Sequence, residues 1–242
     1  MVNPRTLVAL ALLGTAAPAL AGPPYLNDDP IPTDPGKWEI YAFAAGQGRH
    51  SDLDADAGFD FNYGAIENVQ LTATLPASFS RSADRGWRSG TGDVELGFKY
   101  RFLRDERSGV SAAFFPRAIL PTSTIAGDER TRFLIPIWLQ RDFAGTTSLF
   151  GGGGYEINPG PGNRNFWQVG AALTHDFGKR LSAGMEVSHH SPERNGEKAT
   201  TDAGIGAIVH LSGRMSLLMS AGPSWSAGRS SYHFYGAFGL NF

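Results

Sequence analysis

The chain is dominated by strict alternation of apolar and polar positions. In "DVELGFKYRF" (93–102), Val94, Leu96, Phe98, Tyr100 and Phe102 share one parity, and Asp93, Glu95, Gly97, Lys99 and Arg101 share the other. Successive side chains of a strand point to opposite faces, so this is a strand with one apolar and one polar face. "FWQVGAALTHDF" (166–177) sets Trp167, Val169, Ala171, Leu173 and Phe177 against Gln168, Gly170, Ala172, Thr174 and Asp176. "AGFDFNYG" (57–64) sets Phe59, Phe61 and Tyr63 against Asp60 and Asn62. The final stretch, "SSYHFYGAFGLNF", alternates Tyr232, Phe234, Phe238, Leu240 and Phe242 with small or polar residues. The pattern predicts twelve strands, at 37–46, 55–63, 68–80, 92–103, 109–120, 131–143, 147–157, 163–177, 180–190, 200–211, 214–225 and 231–242. No segment of comparable length carries a helical period.

The connections alternate as well. Short ones fall at 64–67, 104–108, 144–146, 178–179 and 212–213. Longer, more polar ones fall at 47–54, 81–91, 121–130, 158–162, 191–199 and 226–230. Short turns at one end and longer loops at the other describe an up-and-down antiparallel meander. Nothing marks the start of a second domain.

The polar face decides which solvent the apolar face meets. Asp60, Glu95, Lys99, Arg101, Arg117 and Glu186 all fall on it. A dry sandwich core does not hold so many charges unless they are paired or wet. The apolar face carries aromatics near strand ends, among them Trp38, Tyr63, Phe102, Phe143, Trp167, Phe177, Tyr232 and Phe242. Aromatic girdles, an apolar band between them and a polar interior are the signature of an outer-membrane β-barrel. Strands of about ten residues fit a tilted crossing. The expected fold is therefore an all-β, up-and-down antiparallel transmembrane β-barrel of about twelve strands, in the bacterial outer membrane. The six charges are the candidate lumen-lining residues. They would form either a salt-bridged network that stiffens the wall or a constriction that selects solutes.

Composition sharpens this reading. The sequence has 31 glycines, 12% aromatic residues and no cysteine, which suits strands and tight turns without disulfides or thiolate chemistry. A formal net charge of −2 gives no sign of a nucleic-acid partner. Residues 1–21 read as a secretory signal peptide, with Arg5, an apolar run over 7–13 and an Ala19-Leu20-Ala21 cleavage site. Residues 22–35 then form a leader rich in Pro and Asp, expected as a periplasmic segment ahead of a barrel spanning 36–242. Its prolines do not join a wall ladder readily, so it either hangs below the barrel or folds into the lumen as a plug.

Several stretches together carry a resemblance. They are "GPPYLNDDPIPTDPGKWEIYAF" (22–43), "FDFNYGAIENVQLTATLP" (59–76), "GTGDVELGFKYRFL" (90–103), "PRAILPT" (116–122) and "GGGGYEINPGPGNRNFWQVG" (151–170). The chain resembles the outer-membrane transporters grouped under the MetA-pathway of phenol degradation, over nearly its whole mature length. The resemblance implies a barrel that passes aromatic or other hydrophobic small molecules. The terminal strand ending in Phe242 is similar to the signal read by the outer-membrane assembly machinery, which implies that partner, along with outer-membrane lipids and small-molecule solutes.

Other motifs point less far. "FGGGGYEINPGPGNR" (150–164) lacks the Gly-Lys-Ser/Thr of a phosphate loop and lies in a strand pattern. "VSHHSPE" (187–193) offers His189, His190 and Ser191, but neighbouring histidines on a strand diverge, so both cannot serve Ser191 or one metal. No catalytic residue, metal site or cofactor is expected. The function expected is a channel or transporter, with a lipase-like outer-membrane enzyme or a structural barrel with a blocked lumen as alternatives.

Overall fold

A computed structural model describes residues 24–125 and 130–242, and the signal-peptide expectation for 1–21 lies outside the described residues. The alternating segments form β1 (Trp38–Arg49), β2 (Asp52–Ile66), β3 (Val69–Ser82), β4 (Gly86–Thr91), β5 (Val94–Asp105), β6 (Val110–Phe114) and β7 (Arg117–Leu120). They continue through β8 (Arg132–Phe143), β9 (Thr147–Ile157), β10 (Phe166–Asp176), β11 (Leu181–His190), β12 (Thr200–His210), β13 (Met215–Ser226) and β14 (Arg229–Asn241). β4 and β5 follow one another along β3, and β6 and β7 follow one another between β5 and β8. The fourteen segments are therefore twelve wall strands. β1 pairs antiparallel with β14, from Glu39↔Asn241 to Gly48↔Tyr232, and closes the sheet into a barrel. Closure removes the sheet edges that lipid would not tolerate.

One predicted strand is interrupted. Residues 109–120 split into β6 and β7 because Pro116 has no N–H to give to the ladder. Its carbonyl still accepts from Phe98 N at 3.0 Å, and Phe115 N reaches Pro136 O at 3.2 Å. The irregularity turns Phe115 into the lumen, its ring centroid 4.8 Å from both Lys99 Nζ and the Arg117 guanidinium carbon.

Two expected loops are largely strand. Between β1 and β2 only His50 and Ser51 turn, with His50 at φ 55°, and between β3 and β4 the turn is 83–85. In these hairpins the inner face is polar and the outer face keeps only scattered apolar residues such as Leu53 and Trp87, so the apolar alternation thins out while the backbone ladder continues. Asp54 Oδ1 accepts Ser80 Oγ at 2.7 Å, and Asp56 accepts Ser78 Oγ at 2.5 Å, tying β2 to β3 there.

The faces sort as the alternation predicts. Ile205 is 72% exposed, Trp167 64%, Met185 60% and Val169 58%, all on the outside. On the inside, Lys99, Glu156, Glu186, Asp202 and Gln140 are buried. Aromatics pair at both ends of the wall, with Trp38–Tyr63 and Tyr155–Trp167 ring centroids each 4.7 Å apart. An apolar exterior with buried charges inside inverts the soluble arrangement, and only lipid makes it favourable. The chain is a transmembrane β-barrel of outer-membrane type.

Candidate functional site: a lumen filled by the leader

The Pro/Asp-rich leader does not hang below the wall. Gly36, at φ 74°, donates its N–H to Gly64 O at 2.7 Å, and Pro35 bridges Gly64 beside the β2–β3 turn. From there residues 34 to 24 run up and across the inside of the barrel. Their prolines hold the backbone extended and leave few N–H groups needing partners. Pro24, Asp29 and Pro30 are among the most deeply buried side chains of the protein.

Each station along this path has a wall partner. Gln70 Oε1 accepts Thr33 N at 2.8 Å and Thr33 Oγ1 at 3.1 Å. Lys99 Nζ lies 3.0 Å from Asp28 Oδ1, and Arg117 stands 4.0 Å from the other Asp28 oxygen. Arg117 also pairs with Glu95 at 3.2 Å. On β11, Glu186 Oε2 accepts Leu26 N at 2.8 Å, Asn27 N at 3.2 Å and Asn27 Nδ2 at 2.8 Å. Tyr25 OH donates to Gly206 O at 3.2 Å, and Ser220 Oγ donates to Pro24 O. The leader thus spans from β2 and β3 to β11, β12 and β13.

Glycines make this crossing possible. A Cβ on Gly184 would lie 2.7 Å from Tyr25 OH, one on Gly206 2.7 Å from the Tyr25 ring, and one on Gly170 would overlap Asn27 Oδ1. The bare backbone of β10 to β12 is the floor on which the leader lies.

The charges are arranged for mutual compensation. Lys99 is only 3% exposed, and a buried ammonium needs a close counter-charge, which Asp28 supplies. Asp29 is 1% exposed, and its Oδ1 accepts Ile31 N at 2.6 Å. Burial pushes its carboxyl up to about 7, against the opposing pull of Lys99. A cavity of about 150 Å³ remains between the leader and the wall. Tyr41, Asp60, Asn62, Thr74, Glu95 and Arg117 line its wall side, and Leu26, Asn27 and Asp28 close the other.

The structure gathers four of the six sequence candidates around that cavity: Asp60, Glu95, Lys99 and Arg117. Among the described residues Asp60 makes no ion pair within 4 Å; its oxygens accept Asn62 Nδ2 at 3.1 Å and Thr74 Oγ1 at 2.9 Å. Glu186 sits on a different wall and grips the leader instead. Arg101 stays at the rim, its Nε donating to Asn68 Oδ1 in the β2–β3 turn at 2.9 Å. Asp28 was not among the candidates, although it is the hinge of the charge network; the leader had no strand period to assign it a direction. Also missed was the Arg132 cluster, with Glu156 at 3.0 Å and Asp93 at 3.4 Å. The histidines diverge: His189 Nδ1 is 2.8 Å from Thr201 Oγ1 and His190 Nδ1 is 3.1 Å from Glu193. Ser191 Oγ accepts Trp167 N at 2.9 Å.

No protein-family model and no curated protein sequence matches the chain. Among solved structures it is similar to an outer membrane channel from Pseudomonas putida F1, with TM-score 0.70 and 11% identity, over 91% of this chain and 99% of that one. It is also similar to the NanC porin, with TM-score 0.59 and 11% identity, over 84% and 98% of the two chains. A KdgM porin in complex with oligogalacturonate aligns with TM-score 0.53 and 8% identity, over 84% and 99%. At these identities the likeness is one of fold.

Proposed function

We propose that this protein is an outer-membrane channel for small molecules, closed at rest by its own N-terminal leader. The observation that carries the reading is the leader's path: a segment with its own polar contacts to β3, β5, β11, β12 and β13 fills the lumen of a closed barrel. A wall meant only as an anchor would fill its inside with its own side chains. Here the filling is a separate strip held by reversible hydrogen bonds and ion pairs. The porins of similar fold support a passage through the barrel axis.

In this account Phe242 and the short turns face the periplasm and the longer loops face outward, with the terminal strand offered to the assembly machinery. Lys99, Arg117, Glu95 and Asp60 form the constriction, and Glu186 with Lys99 holds the plug. The resemblance to the MetA-pathway transporters supports aromatic or hydrophobic solutes. The polar lining of the cavity favours solutes that also carry charged or hydrogen-bonding groups. The test is solute flux into proteoliposomes containing the folded protein, with benzoate, small sugars and dipeptides compared. Flux above that of protein-free liposomes is expected. Absence of flux for every solute would overturn the channel in favour of a structural barrel, and esterase activity lost on Ser191→Ala would favour an enzyme.

A further inference from the structure

The leader meets the wall at two buried stations of opposite charge. At one, the Glu186 carboxylate, 5% exposed, takes three N–H donors from Leu26 and Asn27. At the other, Lys99 and Arg117 take the carboxylate of Asp28. Three consecutive residues bridge the two, so the span from Leu26 to Asp28 is at most about 7 Å of extended backbone. Bonding capacity is left over at each station: among the described residues, Glu186 Oε1 and Arg117 Nε are buried without a hydrogen-bond partner.

We propose that these two stations are the binding site for the channel's solute, and that the leader occupies it as an internal stand-in. The inference rests on the channel reading above. The solute class is a zwitterion of about dipeptide size. It offers an ammonium or amide N–H group to Glu186 and a carboxylate to Lys99 and Arg117.

Three features fix this class. First, when the leader leaves, it strips a buried carboxylate and a buried ammonium of their partners at the same moment. Only a ligand with both complements, or full hydration, relieves both charges. A neutral aromatic relieves neither. Second, an ammonium has three donors in a compact head and reaches Glu186 Oε1 as well as Oε2, which the leader's amides do not. Third, room is already present beside residues 26–28, in the cavity with Asn62, Thr72 and Thr74 on its wall. The bare glycines that now hold Tyr25 and Asn27 add space for a side chain once the leader moves.

The competition is directly measurable. The experiment is calorimetric titration of the full-length protein, folded in detergent micelles, with the dipeptide Asn-Asp, its uncharged counterpart N-acetyl-Asn-Asn-amide, and benzoate. Slower gel migration of boiled against unboiled protein, or the reverse, confirms that each variant is folded. Asn-Asp is expected to bind saturably and at least tenfold more tightly than either control. Asp28→Asn weakens the competing leader, so it should tighten Asn-Asp binding at least tenfold, because apparent affinity scales with the fraction of vacant sites. Asn27→Ala should act in the same direction. In the Asp28→Asn background, Glu186→Gln should then weaken binding at least tenfold. Equal binding of the three ligands, or unchanged affinity in both leader variants, overturns the proposal. Solute flux without dipeptide binding overturns this site and leaves the channel. Dipeptide binding without flux keeps the site and overturns the channel.

Discussion

Replacing Glu186 with Gln should loosen the leader without removing an acceptor. One Glu186 oxygen takes N–H groups at 2.8, 3.2 and 2.8 Å. A neutral intramolecular hydrogen bond contributes about 1 kcal/mol net, and an ionised acceptor roughly doubles that. The Gln amide oxygen keeps the geometry and loses the charge. The loss is then about 1 kcal/mol for each of the two short bonds and little for the longer one, about 2 kcal/mol in all. That is roughly a thirtyfold rise in the leader-out population. The absence of cysteine in the chain gives a clean assay. Pro30 belongs to the leader and is fully buried when the leader is docked, so a Pro30→Cys thiol reacts with a polymer-linked maleimide only when the leader leaves. When re-docking is faster than labelling, the rate follows the open population. Glu186→Gln should therefore speed labelling of Pro30→Cys about thirtyfold. An unchanged rate would refute the clamp, because it would mean that the three bonds do not hold the leader.

Lys99→Met leaves Asp28 and Asp29 without their ammonium and should cost about 3–5 kcal/mol, read by denaturant unfolding, and Asp28→Asn should restore most of it. Leader docking should weaken as pH rises from about 4 to 7, because the docked Asp29 carboxyl is raised to about 7 while the released one titrates at its ordinary value. The docked state therefore binds the extra proton, and Pro30→Cys accessibility, read with a thiol reagent corrected for its own pH dependence, should climb over that window and level off above it. Lys99, Asp28 and Glu39 also act on this carboxyl, so Asp29→Asn is the control that should flatten the profile. Ile137, half-exposed in the middle of β8, faces lipid, and Ile137→Arg should destabilise the folded barrel by about 2–4 kcal/mol in a refolding titration into lipid vesicles.

The wall was legible in the sequence because a period of two leaves a mark at every residue. The parity of Leu96, Phe98 and Tyr100 against Glu95 and Lys99 specifies both faces of β5 at once. The same rule assigned Asp60, Arg117 and Glu186 to the inner face; in the structure Asp60 and Arg117 border the cavity beside the leader and Glu186 bonds the leader. It faltered where one solvent bathes both faces. The β1–β2 and β3–β4 hairpins continue as strand beyond the strongly apolar stretches, where the outward positions mix Leu53 and Trp87 with weak signals such as Ala55 and Arg81, so the contrast between the faces fades. Pro116 was visible, yet its effect, turning Phe115 inward between Lys99 and Arg117, depends on the bonds made by its neighbours in β5 and β8. The leader was least legible. Its composition excludes a ladder, and that leaves both a free tail and a plug; the contacts of Asp28 and Asn27 are with residues about 70 to 160 positions away. The distinction lies in the glycine floor of β10 to β12, which reads in the sequence only as weakly apolar strand.

The central claim is that the leader is a removable plug in a channel. The most direct measurement is single-channel current from a double variant, Pro24→Cys with Ser220→Cys, two positions in hydrogen-bond contact in the docked state. With the disulfide formed, verified by gel mobility before and after reductant, the account predicts a silent bilayer. Adding a reductant to the same bilayer should then give discrete openings. Equal currents in the oxidised and reduced states would contradict the plug, and silence in both, with the protein confirmed folded, would contradict the channel.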